Sequence, residues 1–491
     1  MSSTVEAVTE SGNRGRTPWT GKQLTMLLII GVAALMVSLT QSLLVPVLSE
    51  IGGDLRASTS GIEWLLTSTL LVGAVAVPVF GRLGDLFGTR RMLLITIIAL
   101  VAGSLVDALS SNLTVLIIGR AIVGLSVAAV PLSISLVGVT LPHTHARSGI
   151  AVISAMLGVG GALGLPLAGL IGEYADYHVL FWICVAGGVL AFPGILLVVP
   201  EPRPSARGRL DFTGAVVLAA AVVALLLPLS EGQAWGWGSP ATVGLLVAAA
   251  VLVVAFVLIE RRIASPLVDV RTSARPALLL TNVASLCVGF ALFAMLIGTA
   301  SYVEAPKATG YGFGTSILVG GLCMLPSGIA MLVLSPFSAR MPARIALFVG
   351  ALIIAAGFVT RIIFTGSLWE IIVCTTVSGA GTGIAYAAMP GLIIRAAPRS
   401  ELAAANGLNT LFRSTGSSLA SAVGGSVLAA QTISLAGYAI PSLSAYRILF
   451  AICAAAAVGG ALLALLVPNA APSADSEEAE EELAEAVAVA G

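Results

Sequence analysis

Long apolar runs alternate with short polar breaks along almost the whole chain. Runs such as 93–108 and 215–229 are apolar at nearly every position, and the breaks carry Arg, Asp and Pro. An α-helix crosses a bilayer core of about 30 Å with about 20 apolar residues, whereas strands of a membrane barrel alternate in polarity over about ten residues. The pattern therefore predicts an all-α integral membrane protein.

Fourteen spans follow from the positions of the breaks. The run after Lys22 is too long for the apolar core of a signal peptide, so we expect it to be retained as the first span. Backbone groups in lipid must be hydrogen-bonded within the protein, and helices achieve this within each span. The predicted spans are residues 23–48, 63–81, 92–109, 113–140, 149–172, 178–199, 212–230, 240–259, 276–299, 316–338, 345–364, 368–394, 404–430 and 446–467.

Composition agrees with lipid as the main solvent of the chain. Of the 491 residues, 58% are hydrophobic and 10% are charged, a balance that a water-soluble domain cannot carry on its surface. No hydrophilic segment between spans is long enough to fold as a domain, so the function must reside in the helices or between them. The five cysteines lie in predicted spans without paired spacing. We expect no metal, no other cofactor and no nucleic-acid partner.

Basic residues and linkers indicate the orientation and the plan of the chain. Most of the 24 Lys and Arg residues fall in cytoplasmic segments if the N-terminus is cytoplasmic, so we expect a cell-membrane protein with both termini in the cytoplasm. Pro, Gly and Arg mark linkers at 201–212 and 261–276. The expected units are a cytoplasmic tail 1–22, a six-helix bundle 23–200, a linker with two inserted transmembrane helices 201–275, a second six-helix bundle 276–467 and an acidic cytoplasmic tail 468–491.

The polar stretch GRLGDLFGTRRML at 81–93 lies between the second and third predicted spans. Its glycines allow close approach of helices, and its aspartate can pair with an arginine or with the N-terminus of a helix. A charged clasp of this kind can hold one conformation and release in another. The residues of this conformational-switch loop are Gly81, Gly84, Asp85, Gly88, Arg90 and Arg91.

This stretch resembles the signature loop of the major facilitator superfamily, whose pattern is roughly G-x-L-x-D-x-x-G-R-[KR]-x, with Thr89 in place of the first basic residue. With fourteen spans and an inserted helix pair, the chain resembles the fourteen-span drug:proton antiporter branch over nearly its whole length. The resemblance implies a major facilitator fold of two six-helix bundles plus the inserted pair. We expect the protein to function as a monomer in the lipid bilayer.

Arg120 lies inside the fourth predicted span, where an arginine costs at least about 2.5 kcal/mol unless it meets water or a partner. Arg120 and Gly124 match the family pattern l-x-x-R-x-x-x-G, which the resemblance associates with proton transfer; the alternative is an arginine tied structurally to backbone carbonyls. The first span reads VSLTQSLLVP at 37–46, without the aspartate that this branch commonly carries. The candidates for moving protons are therefore Asp107 or Glu63, acting with Arg120.

Small residues and a proline crowd the fifth span, in GVGGALGLPLAGLIGEY at 158–174. They give a smooth, kinked face for close helix contact. The run resembles the antiporter motif G-x-x-x-G-P-x-x-G-G, from which it departs at Leu165 and Leu170, and the resemblance implies export. The motif positions are Gly158, Gly161, Gly164, Pro166 and Gly169.

The leading hypothesis is an exporter of small amphipathic, drug- or antibiotic-like compounds that works by proton antiport with alternating access. Import or facilitated diffusion of a metabolite stays open. A membrane enzyme acting on lipid-linked substrates would need paired acidic residues or a metal cluster at the membrane face, which the sequence does not contain, so we expect no enzyme. The run 403–425 also resembles the family's penultimate span, with Asn406, Asn409 and Arg413 as polar members. From the helices that face inward in the superfamily, the expected cavity residues are Gln41, Thr67, Arg120, Met156, Phe293, Met324, Tyr386 and Asn409.

Overall fold

The structure is a computed structural model that describes residues 18–57, 59–263, 265–435 and 438–468. Fourteen long helices dominate this part of the chain, and they are labelled in chain order. They are α1 (Gly21–Ser42), α2 (Thr59–Phe87), α3 (Thr89–Leu109), α4 (Leu113–Thr140), α5 (His143–Tyr174), α6 (His178–Val198), α7 (Phe212–Trp235), α8 (Pro240–Glu260), α9 (Pro276–Glu304), α10 (Ile317–Arg340), α11 (Ala343–Ile363), α12 (Leu368–Ala396), α13 (Leu402–Ala430) and α14 (Leu443–Leu466).

Two of these helices contain breaks in their regular hydrogen bonding. A 3-10 turn at Leu125–Ala128 interrupts α4. The α-helical parts of α10 are Ile317–Leu322 and Leu325–Leu334, and its last six residues, Ser335–Arg340, form a 3-10 turn. Prolines begin both later parts of α10, and proline cannot donate the backbone hydrogen bond of a continuous helix.

Short elements lie between the long helices. The sequence did not predict the antiparallel strand pair between α13 and α14, which pairs Thr432 with Pro441 and is the one sheet in the described chain. The short elements are the helices Leu48–Asp54 and Val270–Ser273, the 3-10 turns Val45–Val47, Lys307–Thr309 and Arg399–Glu401, and the strands β1 (Thr432–Leu435) and β2 (Tyr438–Pro441).

The prediction of an all-α membrane protein with fourteen long helices is confirmed. Thirteen of the helices in the described chain are long and apolar enough to cross a membrane. The remaining helix, α13, has 29 residues and could reach about 43 Å. It is less apolar because it carries Asn406, Asn409 and Arg413, and all three of these side chains are buried. Its polar groups therefore face the interior of the bundle, and its length is sufficient to cross a bilayer.

The long helices pack in two groups with the inserted pair beside them. In the first group α1 packs on α5 and α6, and α3 packs on α4 and α6; in the second, α9 packs on α13 and α14, and α11 packs on α12 and α14. The groups meet where α5 contacts α10 and where α2 contacts α13. The helix α7 packs on its partner α8 and also on both α2 and α13, so the inserted pair contacts both groups. Apart from residues 18–22 and 468, the predicted tails lie outside the described residues.

Candidate functional site

A cavity of about 450 Å³ lies between the two helix groups. Helices α1, α4 and α5 of the first group and α9, α10, α12 and α13 of the second line it. Small-molecule sites commonly measure about 300–1,000 Å³, so the cavity is large enough for an organic ligand. The lining includes Gln41, Phe293 and Tyr386, three residues named as cavity candidates from the sequence.

Most of the cavity wall is apolar, with a limited set of polar side chains. Val127, Leu157, Leu292 and Leu296 are among the aliphatic lining residues. The lining contains two charged side chains, those of Arg413 and Glu304. The uncharged polar lining residues other than Tyr386 are Ser38, Gln41, Ser42, Ser301, Thr410, Ser414 and Ser417. An apolar wall with a few placed polar groups is typical of sites that bind amphipathic molecules.

The cavity extends from the middle of the bundle toward one end. Its lining reaches Pro46 after α1, Glu304 at the end of α9 and Ile317 at the start of α10. We call this the cavity end of the bundle. The deepest charged group is Arg413, which lies near the middle of α13.

Arg413 is held in place by groups of the second helix group. Its Nη2 donates to Thr410 Oγ1 at 3.3 Å, and its guanidinium lies 4.8 Å from the centre of the Tyr386 ring. Gly289 provides room for it, because a Cβ added there would lie 2.9 Å from Arg413 Cγ. The side chain is 6% exposed, and that exposure is toward the cavity that it lines.

A polar network lies beside the cavity, between α9, α12 and α13. Asn409 Nδ2 donates to Asn282 Oδ1 at 3.0 Å and to Ser285 Oγ at 2.6 Å, and Ser285 Oγ donates to Met389 Sδ at 3.1 Å. Asn409, which was named as a cavity candidate from the sequence, is thus one turn from Arg413 but buried in this network. Because buried polar groups are costly unless they are hydrogen-bonded, the network fixes the packing of α9 against α13.

The opposite end of the bundle is closed by Asp85. Its Oδ1 and Oδ2 accept hydrogen bonds from the backbone N–H groups of Ala403 at 3.1 Å and Ala404 at 2.9 Å, in the first turn of α13. Ser205 Oγ donates to Oδ1 at 3.3 Å. A carboxylate at a helix N-terminus satisfies free N–H groups and meets the positive end of the helix dipole. Asp85 therefore joins α2 of the first group to α13 of the second, and we call this contact the clasp and this end the clasp end.

The glycines of the predicted switch loop serve this contact. A Cβ added at Gly81 would lie 2.7 Å from the carbonyl oxygen of Ala403, so α2 could not approach α13 as closely with any other residue there. Gly84 packs on Leu132 in the same way, at 2.7 Å. Gly88 has a φ of 108°, a conformation that side chains rarely adopt, and it allows the turn from α2 into α3.

The two arginines of the loop bind within the first helix group. Arg90 donates from Nε to the carbonyl oxygen of Ile195 at 3.4 Å and from Nη2 to that of Leu196, which anchors the start of α3 to the end of α6. Arg91 Nε lies 3.8 Å from Glu201 Oε2, but its side chain is 71% exposed. An ion pair so exposed contributes at most about 1 kcal/mol. Of the six predicted loop residues, Gly81, Gly84 and Asp85 lie against the other helix group.

Arg120 and Asp107 lie together in the interior of the first helix group. Arg120 Nη1 is 3.9 Å from Asp107 Oδ2, and the two side chains are 3% and 0% exposed. Arg120 Nη2 also donates to the carbonyl oxygen of Thr40 at 2.9 Å. Arg120 therefore has both a carboxylate partner and a bond to a backbone carbonyl, the two arrangements considered from the sequence. Neither oxygen of Asp107 accepts a hydrogen bond from the described residues. Glu63 is exposed and takes no part in this pair.

The other sequence candidates for the cavity lie away from its lining. Thr67 donates to Glu231 Oε1 of α7 at 3.2 Å and so joins the inserted pair to α2. Met156 belongs to the hydrophobic core of the first group. Met324, at the break within α10, is fully buried. Arg413 and Glu304 line the cavity although neither was named as a cavity candidate from the sequence. The helical spacing of Asn406, Asn409, Thr410 and Arg413 places them on one polar face of α13. This spacing was a sequence signal that Arg413 faces the interior.

The fifth-span motif packs against α10. A Cβ added at Gly169 would lie 2.7 Å from the backbone nitrogen of Leu318, and Gly158 contacts Met331 in the same interface. Pro166 lies against Gly321, and Gly161 lines the cavity. Gly164 instead packs on Ser42 of α1. The motif therefore supplies a close contact between the helix groups along one wall of the cavity.

Comparison with known protein families adds an independent observation. A family model described as Major Facilitator Superfamily matches residues 30–317 and, in a second match, residues 286–490. The two matches each cover about one helix group with its neighbouring spans, and together they cover nearly all of the chain.

Several curated proteins are similar in sequence. An uncharacterized MFS-type transporter of Mycobacterium tuberculosis is 33% identical over 311 residues, which are 62% of this chain but only 45% of that protein. The multidrug resistance protein Stp of the same species is 29% identical over 83% of this chain and 76% of its own length. The tetracenomycin C resistance and export protein of Streptomyces glaucescens is 28% identical over 86% of this chain and 78% of its own length.

A solved structure shows the same fold. The crystal structure of the human organic anion transporter MFSD10 (TETRAN) aligns with a TM-score of 0.61 and 14% sequence identity, over 91% of this chain and 99% of that one. At this identity the likeness concerns the arrangement of helices.

Proposed function

The chain belongs to the major facilitator superfamily, and from that premise we propose that it exports small amphipathic organic compounds by proton antiport with alternating access. The observation that carries the proposal is the apolar cavity of about 450 Å³ between the two helix groups, closed at one end by the Asp85 clasp. A site at the repeat interface, opened alternately to either side, is the usual arrangement in secondary transporters.

The clasp supports the alternating-access part of the proposal. It joins the two groups through hydrogen bonds of one carboxylate to two backbone N–H groups, each worth about 1.5–3 kcal/mol when the acceptor is charged. Bonds of this strength can form in one conformation and be exchanged for hydration in another. The cavity reaches the opposite end in the conformation in which the clasp is formed.

The distribution of basic residues supports an orientation with the clasp end in the cytoplasm. Arg90, Arg147, Arg209, Arg262 and Arg344 all lie at or beside helix ends on the clasp side of the bundle. Short loops rich in Lys and Arg are retained on the cytoplasmic side. Both termini would then be cytoplasmic, and the cavity in this conformation would face outward.

Two observations favour export. The fifth-span motif forms a close contact between the helix groups, where α5 packs on α10. Relatives that align over more than four fifths of this chain are named for multidrug resistance and for tetracenomycin C export. A drug- or antibiotic-like molecule is therefore the favoured substrate, and the cell membrane the favoured location.

The Asp107–Arg120 pair is the proposed route for proton coupling. A carboxylate with no hydrogen-bond donor and a cation at 3.9 Å can exist either ionised and paired or protonated and neutral. Taking up a proton would release Arg120, whose second contact is the Thr40 carbonyl in α1, the helix that also carries the cavity residues Ser38 and Gln41. Protonation of Asp107 would thus change the position of the cavity residues on α1.

Transport into inverted membrane vesicles tests the proposal. Vesicles containing the protein, with an acidified lumen, are expected to accumulate a fluorescent amphipathic dye from a panel of cationic, neutral and anionic dyes, and to lose the dye when the gradient is collapsed. Vesicles with the Arg120→Ala variant are the matched control. Absence of accumulation for every dye, in vesicles where the protein is shown to be folded, would contradict proton-coupled export and favour an importer or a narrow-substrate carrier.

A further inference from the structure

The charged groups of the cavity are distributed unevenly along its length. Arg413 lies in the deep part and Glu304 lies at the cavity end, as the last residue of α9. Gly289, on which Arg413 packs, is about 22 Å along α9 from Glu304 at the helical rise of 1.5 Å per residue. A drug-sized molecule bound in the deep part therefore meets the cation without the carboxylate.

Arg413 lacks an anionic partner in the described chain. The ion pairs of the described residues join Arg91 to Glu201, Arg120 to Asp107 and His178 to Asp176, and none involves Arg413. A guanidinium has five N–H donors and stays protonated in proteins, yet the described residues supply Arg413 with a single hydrogen-bond acceptor, Thr410 Oγ1. A buried cation with unused donors that faces a cavity provides a binding site for an anion.

The two arginines of the described chain that are more buried than Arg413 are neutralised differently. Arg120 has the carboxylate of Asp107. Arg361 lies outside the cavity between the rings of Tyr302 and Phe450, at 4.1 and 5.0 Å, and donates to the carbonyl oxygen of Phe364. Arg413 differs from both because it is the arginine that lines the cavity.

We propose that the substrates of this protein are amphipathic organic anions, whose carboxylate or ionised phenol binds the guanidinium of Arg413 while an aromatic or aliphatic body packs on the surrounding wall. The apolar part of the cavity wall includes Phe293, Leu292, Val130 and Leu157. Ser414, on the same helix, lines the cavity as well and supplies a further hydroxyl donor to the acid group. This inference rests on the proposed function, since it assigns the ligand class of the transport cavity.

Binding of three ligands with one apolar body tests the charge preference directly. The ligands are 1-pyrenebutyrate, 1-pyrenebutanol and (1-pyrenebutyl)trimethylammonium, measured by fluorescence on the purified protein in nanodiscs, with empty nanodiscs subtracted. The anion is expected to bind about tenfold more tightly than the alcohol or the cation, the effect of one charge-assisted hydrogen bond. Equal affinity for the three ligands, or a preference for the cation, would overturn the inference.

Three variants, two at Arg413 and one at Glu304, assign the preference to a residue. Arg413→Gln is expected to abolish the preference for the anion, whereas Glu304→Gln, which removes the other charge of the cavity, is expected to keep it. Arg413→Lys retains a positive charge and serves if the glutamine variant does not fold; it is expected to keep a reduced preference for the anion. A preference unchanged in the folded arginine variants, or lost in Glu304→Gln alone, would contradict the role of Arg413.

The outcome is separable from that of the proposed function. Gradient-driven accumulation of a cationic or neutral dye, together with no preference for the anionic pyrene ligand, would overturn the substrate class and leave proton-coupled export standing. Preferential binding of the anion through Arg413, together with no gradient-driven transport of any dye, would support the substrate class and contradict the coupling.

Discussion

The three most buried arginines of the described chain differ in how their charge is neutralised, and that difference separates structural from functional candidates. Arg361 is enclosed by aromatic rings, Arg120 has a carboxylate, and Arg413 faces the cavity. Asp85 needs no cation in contact, because two backbone N–H groups bind it. Since burying a charge is costly, each arrangement must be either stabilised locally or used in a conformational or binding step.

At the residue scale, Arg120→Ala leaves the Asp107 carboxylate buried without its cation. Removing one partner of a buried pair costs about 3–5 kcal/mol unless the other is neutralised, so Asp107 is expected to stay protonated in this variant. Gradient-driven dye accumulation should fall to the level of vesicles without the protein, although the variant reaches the membrane. Accumulation in inverted vesicles and the amount of membrane protein are the measurements.

Glu63→Gln is the matched control for this test. Glu63 is exposed and lies outside the pair, so its amide variant should transport at the wild-type rate. Asp107→Asn should match the arginine variant in losing gradient dependence, because an amide cannot take up the proton. If Arg120→Ala transports normally, or if Glu63→Gln is the variant that loses coupling, the assignment of the proton route is wrong.

Asp85→Asn weakens the clasp without changing the shape of the side chain. One oxygen becomes an NH₂ group that cannot accept from Ala403 or Ala404, so the clasp end is expected to open more often. Spin labels on cysteines at the exposed positions Phe87 and Arg399 should report longer and broader distances, while ligand affinity stays within about twofold.

Arg91→Gln provides the comparison for the aspartate variant. Its pair with Glu201 is exposed, so its loss should leave the distance distribution unchanged. A distribution that Asp85→Asn leaves unchanged would show that the clasp does not hold this end shut.

At the element scale, the close contact of α5 with α10 depends on small residues. A Cβ at Gly169 would meet the backbone of Leu318 at 2.7 Å, whereas a Cβ at Gly172, one turn further along α5, would come no nearer than 3.4 Å to a side-chain atom of Glu50. The first contact is with backbone and cannot yield without moving a helix. The two positions therefore form a matched pair for testing the interface.

Gly169→Ala is expected to disfavour the observed conformation by about 1–3 kcal/mol, because α5 and α10 must separate at the cavity end. The purified variant should unfold at a lower temperature and transport more slowly, and Gly172→Ala should resemble the wild type in both measurements. Equal behaviour of the two alanine variants would mean that this contact is not tightly packed in the transporting protein.

The helices were predictable from the sequence because membrane spans are read from local apolar runs. The segment 404–430 was also placed correctly, although Asn406, Asn409 and Arg413 make it less apolar than the other spans. The breaks within α4 and α10 were not predicted, since Pro131 and Pro326 lie inside runs that stay apolar throughout. The local sequence therefore predicts where a span lies more reliably than it predicts whether the helix within that span is continuous.

The candidate site was only partly predictable, because its contacts join distant parts of the chain. The resemblance indicated Asp85 and Arg120, but the partner of Asp85 is a backbone more than 300 residues away, which no local pattern encodes. Thr67 was expected in the cavity and instead binds Glu231 of the inserted pair. Whether a polar residue faces the cavity or a neighbouring helix depends on the rotation and tilt of each helix, which packing decides.

At the scale of the whole molecule, the proposed alternating access requires the two helix groups to move relative to each other about one cavity. The Asp85 hydrogen bonds between α2 and α13 lie at the clasp end, and the cavity reaches the other end. The inserted helix α7 contacts both groups. Its Glu231 accepts a hydrogen bond from Thr67 of α2, and its Gln233 donates to the carbonyl oxygen of Gly425 in α13. Trp237, just beyond α7, donates to Ser426 of α13. Movement of the groups must therefore change the contacts of this pair as well.

A reversible disulfide across the clasp would test whether the clasp end must open during transport. A Cβ at Gly84 would lie 3.6 Å from the Cβ of Ala403, which is within the range of about 3.5–4.5 Å found in disulfides, and the Leu132 side chain that it would also meet can shift. In the Gly84→Cys, Ala403→Cys variant, oxidation should stop gradient-driven transport, reduction should restore it, and ligand binding from the cavity end should persist in both states. Each single variant, treated with the same oxidant, controls for the five native cysteines. Transport at an undiminished rate with the clasp covalently closed would contradict alternating access through this cavity.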